Sequence, residues 1–364
     1  MIVQDIINQL EELAPLAYAE EFDNVGLLVG DNNAKVTGVL ITLDTLPEVV
    51  EEAIAEDCNL IISFHPIIFK GLKSITGNSY VERVVQKAIK NDIAIFAIHT
   101  ALDNAYNGVN AELCNRLGLK NKSILIPQFE TIKKLTTFVP KSDIEAVQKA
   151  LFEAGGGAIG NYENCSFSSE GIGTFKGNEV SNPVIGKPHE FKQLGEIKLD
   201  IVFAKHLESN ILSNLFQTHP YEEVAYEIST LENNNQHIGM GMIGTLETAM
   251  EENAFLEYVK EKMKCSVIRH SKLSNKNIKK VAVLGGSGSF AITAAKAAGA
   301  DAFVTSDLKY HDFFAAENQI LLMDIGHYES EQYTKNLLAT YLTKKIPNFA
   351  FLLSKINTNP VKYK

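Results

Sequence analysis

Imidazoles and carboxylates recur in this chain just past apolar, strand-like runs, where a folded sheet would release them into one space. His65 follows the run Asn59 to Phe64, and Pro66 beside it cannot extend a ladder because it lacks an N–H. His99 follows Ile93 to Ile98, with Asp103 four residues later. His327 follows a run ending at Ile325, with Gly326 as the tight exit and Glu331 four residues on. A separation of i to i+4 puts two side chains on one face of a turn, so both can reach one centre. Imidazole nitrogen with carboxylate oxygen is a donor set for divalent ions, and a carboxylate can bridge two of them. His65, Asp103, His327 and Glu331 are therefore the expected metal ligands. A single histidine at a strand end is more often a hydrogen-bonded turn residue; three strand ends that each present such groups favour a site. The donors suit zinc, iron, manganese, cobalt or nickel and do not choose among them.

Two further groupings bear on chemistry. In KKVAVLGGSGSFAITAAKAAG, Gly286, Gly288 and Ala291 match the glycine-rich turn of a dinucleotide site, and Asp307 lies 21 residues after Gly286. Any tight strand-to-helix turn favours glycine, so a packing turn, or one that lends N–H groups to a single phosphate, is the preferred reading. In TSDLKYHD, Asp307 and His311 stand four apart beyond another strand end, as a general acid and base or as an N-cap with a surface histidine. His219, Glu222 and Glu223 in THPYEEVAYEI read as a solvated loop before a ligand site.

These residues need a scaffold, and the pattern supplies one. Ile2, Ile6, Leu10 and Leu13 fall at helical spacing before Pro15. Apolar, β-branched runs then alternate with helical stretches: Gly38 to Leu43, a helix from Pro47 to Glu56, Asn59 to Phe64, a helix from Tyr80 to Asn91, and Ile93 to Ile98. That rhythm predicts βαβ units, an α/β protein with largely parallel sheets covered by helices. It returns after about residue 246, with a helix expected over Leu308 to Glu317 and another over Glu329 to Thr343. The intervening stretch reads instead as β-α-β-β-α-β, the split ferredoxin-like plan. There Ser142 is the expected cap of a helix that ends at the Gly155-Gly156-Gly157 triplet. The expected domains are a core from 1–130 and 246–364, interrupted by an insert over 131–245.

The composition limits partners. A hydrophobic fraction of 45% and a charged fraction of 21% describe a globular chain, and no apolar run approaches the ~18 residues of a membrane helix. Acids at Asp5, Glu11 and Glu12 stand where a secretory leader would be basic, so a cytoplasmic protein is expected. Four cysteines lie far apart with no CxxC pair, which favours idle thiols. A net charge of -10 makes nucleic acid an unexpected partner.

The motifs FDNVGLLVGD (22–31), FHPIIFKG (64–71), HTALDNAYNGVN (99–110), GGSGSF (285–290), SDLKYHD (306–312) and DIGHYESE (324–331) resemble, in order, those of the Nif-three-like dinuclear metal-centre family. The family also carries the name GTP cyclohydrolase I type 2 homologue. GGGAIGNYENCSF and HPYEEVAYEI resemble its longer form, whose insert is like the PII and CutA signalling proteins. The resemblance implies that His65, Asp103 and Glu331 hold one ion and that His327 and Glu331 hold another, with a further ligand at position 64. Most members read His-His-Pro there. Here the residue is Phe64, so the second ion loses a nitrogen and is weaker, absent, or completed by water or His99. The resemblance also implies a toroidal homohexamer and hydrolysis of a nucleotide or related small molecule. In a cyclohydrolase, hydroxide generated at the ions would attack C8 of guanine while Asp307 or His311 moves protons. The alternative is a non-catalytic metal-binding regulatory or scaffold hexamer whose insert senses a ligand or partner.

Overall fold

The computed structural model describes all 364 residues. Its Cα packing divides the chain into two units, residues 1–127 with 237–364, and residues 128–236. Along the chain the first unit begins with α1 (Val3–Leu13), β1 (Gly26–Val29), β2 (Val39–Thr42), α2 (Pro47–Ala55), β3 (Leu60–Ser63), α3 (Tyr80–Lys90) and β4 (Ala94–Ala97). It continues with α4 (His99–Asn104), α5 (Val109–Arg116) and β5 (Lys120–Pro127). The second unit holds β6 (Ile132–Pro140), α6 (Ile144–Glu153), β7 (Ser166–Lys176), β8 (Phe191–Ala204), α7 (Glu208–Thr218) and β9 (Tyr226–Leu231). The chain then returns through β10 (Gly239–Glu251), α8 (Glu252–Met263), β11 (Arg269–His270), β12 (Asn277–Ser287) and α9 (Ile292–Ala297). β13 (Ala302–Ser306), β14 (Leu321–Asp324), α10 (His327–Glu331), α11 (Thr334–Lys345) and β15 (Phe351–Leu353) complete it.

In the first sheet, ordered β1-β4-β3-β2-β15, only β1 runs antiparallel to its neighbour. β2, β3 and β4 are buried along their whole lengths because helices cover both faces. Ile41, Ile62 and Phe96 pack with Ile6 and Leu10 of α1 and Leu338 and Leu342 of α11. Leu40, Ile61 and Ile95 turn the other way, onto Val49 and Val50 of α2 and Val84 and Val85 of α3. Each such fully buried aliphatic side chain contributes roughly 1.5–3 kcal/mol. Strands covered on both faces show no polar alternation, which is why they read as continuous apolar runs. The second sheet, β11-β14-β13-β12-β10-β5, is parallel only across β12, β13 and β14. These parallel strands of both sheets deliver the chemistry-bearing residues from their carboxyl ends.

The second unit is a four-stranded antiparallel sheet in the order β7-β8-β6-β9. Leu135, Val139, Leu199 and Ile201 pack on Val147 and Leu151 of α6 and on Ile211 and Leu215 of α7. Gly155 and Gly157 take the positive φ values, 97° and 79°, that end α6.

Several elements differ from expectation. The helix expected over Leu308 to Glu317 is a 3-10 turn, Tyr310–Ala316, which the Asp312 carboxylate opens by accepting the Lys309 N–H at 2.7 Å. The helix expected over Glu329 to Thr343 is broken into α10 and α11. Ser142 does not cap α6; its hydroxyl donates to Asp143 Oδ2 at 2.6 Å. β10 was hidden by its glycines, and residue 245, the expected limit of the insert, lies inside this strand. No helix is long and apolar enough to cross a membrane.

Gly239 lies directly across from Pro127 in the antiparallel pair β10 and β5. A short hairpin turn can therefore replace residues 128–236 without moving either strand. We expect that deletion variant to unfold in one cooperative transition and to bind metal like the full chain, checked by chemical denaturation and metal titration. Loss of cooperative unfolding would refute the independence of the two segments.

Candidate metal centre

The strand exits determine the centre. His65 leaves β3 with its N–H donating to Leu43 O at 2.9 Å, and the His99 N–H beyond β4 donates to Phe64 O at 2.9 Å, so neighbouring exits are stitched together. His99 takes a positive φ of 22°, uncommon outside glycine, which brings its ring within 5.1 Å of the His65 ring. Gly326, at φ 93°, turns the chain from β14 into α10. That short helix carries both His327 and Glu331, and the His65 and His327 rings stand 5.4 Å apart.

Each imidazole is fixed through Nδ1 by a carboxylate. His65 pairs with Asp44 at 2.8 Å, His99 with Asp23 at 2.8 Å, and His327 with Asp307 at 2.6 Å. A carboxylate on one ring nitrogen orients the ring and sets its tautomer, the arrangement found behind metal-bound histidines. Nε2 of His65 and Nε2 of His327 converge on Glu331 Oε2, at 3.1 and 3.2 Å. That oxygen is buried, yet it accepts a hydrogen bond from neither ring; the nitrogens lie at contact distance without hydrogen-bond alignment. The donors of His65, His327 and Glu331 lie within 4.8 Å of one another and form a group able to hold a metal ion.

Asp103, on α4, is 8% exposed, and its Oδ1 is buried with no partner. Burial first, and then the Glu331 carboxylate, hold its carboxyl well above the usual range. Glu331 goes the other way: burial opposes its charge, but the facing His327 and His65 outweigh that and bring it to about 2. Burial likewise disfavours the two imidazolium ions, and Asp44 and Glu331 nevertheless raise His65 to about 10, while Asp307 and Glu331 raise His327 to about 11. Asp23 is pushed up by burial and brought down to about 2 by hydrogen bonds from His99 and Thr100. Asp103 Oδ1 and Glu331 Oε2 are buried and have no hydrogen-bond partner. These residues fit a divalent cation.

Asp307, expected as a general acid or base, is engaged by His327 Nδ1 and the Ser287 hydroxyl, which hold its carboxyl below the ordinary range. His311 lies on the 3-10 turn, its ring 5.1 Å from Tyr310 and 6.1 Å from Phe314, and no hydrogen bond or ion pair ties it to the His65–His327–Glu331 group. The glycine turn has its own occupation. The Gly286 N–H donates to Ser330 Oγ at 2.9 Å and the Gly285 N–H to Asn110 Oδ1 at 3.0 Å. A Cβ on Gly286 would lie 2.5 Å from Glu331 Oε1, so this turn makes room for Glu331 rather than for a phosphate. His219 is buried, with Nε2 against Phe138 O and Nδ1 accepting the Tyr221 N–H, and is not the solvated residue its loop implied.

Asp23 and Asp44 stand outside the histidine and carboxylate spacings that mark the other groups. Asp44 does follow a strand-like run, the same signal that singled out His65, and Thr358 near the chain end donates to its other oxygen.

The chain is a mixed α/β protein with three sheets covered by helices and a partly buried His/Glu group able to hold a metal ion. Residues 1–360 match the family model described as Duf34/NIF3 (NGG1p interacting factor 3), and the chain belongs to that family. A Bacillus subtilis relative named GTP cyclohydrolase 1 type 2 homolog is 40% identical over 369 residues, covering 99% of this chain and 98% of its own. A Bacillus cereus protein related to NIF3 has a solved structure with TM-score 0.87 at 37% identity, covering 100% of this chain and 99% of that one. A Staphylococcus aureus structure gives 0.79 at 34%, with the same coverage.

Asp307→Asn separates the two roles open to that residue. If it orients His327, the substitution weakens metal binding by about 10–100-fold, the usual cost of losing an outer-shell carboxylate. Competition against a chelating dye measures this, and an unchanged affinity would contradict the orienting role.

Proposed function

We propose that His65, Asp103, His327 and Glu331 hold divalent metal and that the protein is a metal-dependent hydrolase of a nucleotide or related small molecule. The observation that carries this reading is Glu331 Oε2, buried between two carboxylate-fixed imidazoles and hydrogen-bonded to neither. Asp103, His65 and Glu331 are the proposed ligands of one ion, and His327 and Glu331 those of a second. A bound divalent ion would supply Lewis acidity and a water acidic enough to react near neutral pH. The chain's own part is positioning. Asp44 and Asp307 fix the two ligand rings, and His99, held by Asp23, keeps its other nitrogen to exchange a proton. The rings of Phe69 and Phe22 continue outward from His99, at 6.4 and then 6.5 Å, and both are exposed, which suits a planar base. The name of the Bacillus subtilis relative points to the same substrate class. Elemental analysis of protein purified without chelator, followed by a nucleoside triphosphate screen with product identification, tests this. Stoichiometric metal with hydrolysis supports it, and metal-free protein would refute it.

Phe64 favours a second reading, a regulatory or scaffold protein. Its ring is fully buried 4.9 Å from the His65 ring and offers no donor beside the proposed second ion. One ion per chain and no turnover is the result expected on that reading.

We also propose a cytoplasmic homohexamer. The free thiols of Cys58, Cys114 and Cys265 are buried and suit a reducing compartment. Phe290, Tyr310 and Phe314 expose large rings that a second copy could cover. Light scattering should return six times the chain mass, and a monomer at micromolar concentration would contradict the assembly. The β-α-β-β-α-β order of residues 128–236, with its antiparallel sheet, supports a PII/CutA-like insert.

A further inference from the structure

The sheet of residues 128–236 is helix-covered on one face only. On the other face lies a cavity of about 680 Å³, within the range of small-molecule sites. Phe138 of β6, Glu196 of β8 and Phe175 of β7 line it, and Tyr221 and Glu223 close one side. Two glycines shape its floor. A Cβ on Gly173 would lie 1.9 Å from Glu196 Oε2, so that glycine lets the carboxylate lie against β7. Gly171 faces Glu196 across the strand pair, and a Cβ there would meet nothing within 4 Å. Glycine weakens a strand interior and often marks close approach by another group.

We infer that this cavity binds a small organic cation, an amine with an apolar body, held between the aromatic rings and the Glu196 and Glu223 carboxylates. Four glutamates line the cavity against two lysines, which disfavours an anion. Lys198 is already 3.6 Å from Asp200, and Glu170 is paired with Lys141 at 2.8 Å. The Tyr221 hydroxyl donates to Glu196 Oε1 at 2.7 Å and fixes that carboxylate. Its ring and that of Phe175, with centroids 6.4 Å apart, offer faces to an ammonium group. This site is independent of the metal centre and does not rest on the proposed hydrolase activity.

Ligand-observed NMR on the full chain with phenethylamine, agmatine and choline, each against phenylacetate, tests it. At least one amine should bind with a dissociation constant of about a millimolar or tighter, and phenylacetate should not. Gly171→Phe fills open space and should abolish binding while the thermal melt stays unchanged. Glu196→Gln, nearly isosteric, should weaken binding about tenfold. No binding by any amine, equal binding of phenylacetate, or binding that survives both substitutions would overturn the inference.

Discussion

Glu331→Ala is expected to leave the purified protein without bound divalent metal. One carboxylate oxygen lies 3.1 and 3.2 Å from two imidazole nitrogens, so Glu331 is the residue shared by both proposed ions. Its loss should exceed the ~10–100-fold typical of an outer partner. His327→Ala should spare the ion assigned to His65 and Asp103, and Phe64→His should raise occupancy of the weaker ion by adding a nitrogen. Equal metal per chain in wild type and Glu331→Ala, by elemental analysis, would sink the ligand assignment.

Gly286→Ala is the second large effect. Gly286 has φ 69°, where an L side chain costs roughly 1–2 kcal/mol, and its added methyl would lie 2.5 Å from Glu331 Oε1. Either the β12 turn shifts or Glu331 does. We expect a stability loss of about 1–3 kcal/mol by chemical denaturation and a parallel loss of metal affinity. Unchanged metal affinity would show that the turn serves something other than Glu331.

The same two residues show how far the sequence could be read. Glu331 was legible because His327, four residues before it, follows a buried strand and a glycine exit, and both features are local. His65 beside Pro66 and Asp103 four residues after His99 were legible for the same reason. Gly286 was legible only as a glycine in a turn; its service to Glu331 depends on a contact across 45 residues, which no spacing encodes. Asp23 and Asp44 have no local signal either, since a carboxylate becomes an orienting group only when a histidine from another strand end arrives beside it. Among the elements, β2, β3 and β4 were clear because burial on both faces leaves uninterrupted apolar runs. β5 begins with exposed polar residues, and β10 carries glycines at 239, 241 and 244, so neither shows a strand's period. The 3-10 turn over Tyr310–Ala316 has helical composition, and its form follows from the Asp312 cap and the left-handed Glu317.

His65, Asp103, His327 and Glu331 are proposed as one metal centre built around the buried Glu331 carboxylate. Anomalous diffraction from crystals of the protein loaded with zinc or manganese will locate the ion. An anomalous peak is expected about 2.0–2.3 Å from His65 and from carboxylate oxygens of Asp103 and Glu331. A metal-loaded crystal with no peak among these four residues, or with its peaks elsewhere, would contradict the metal centre.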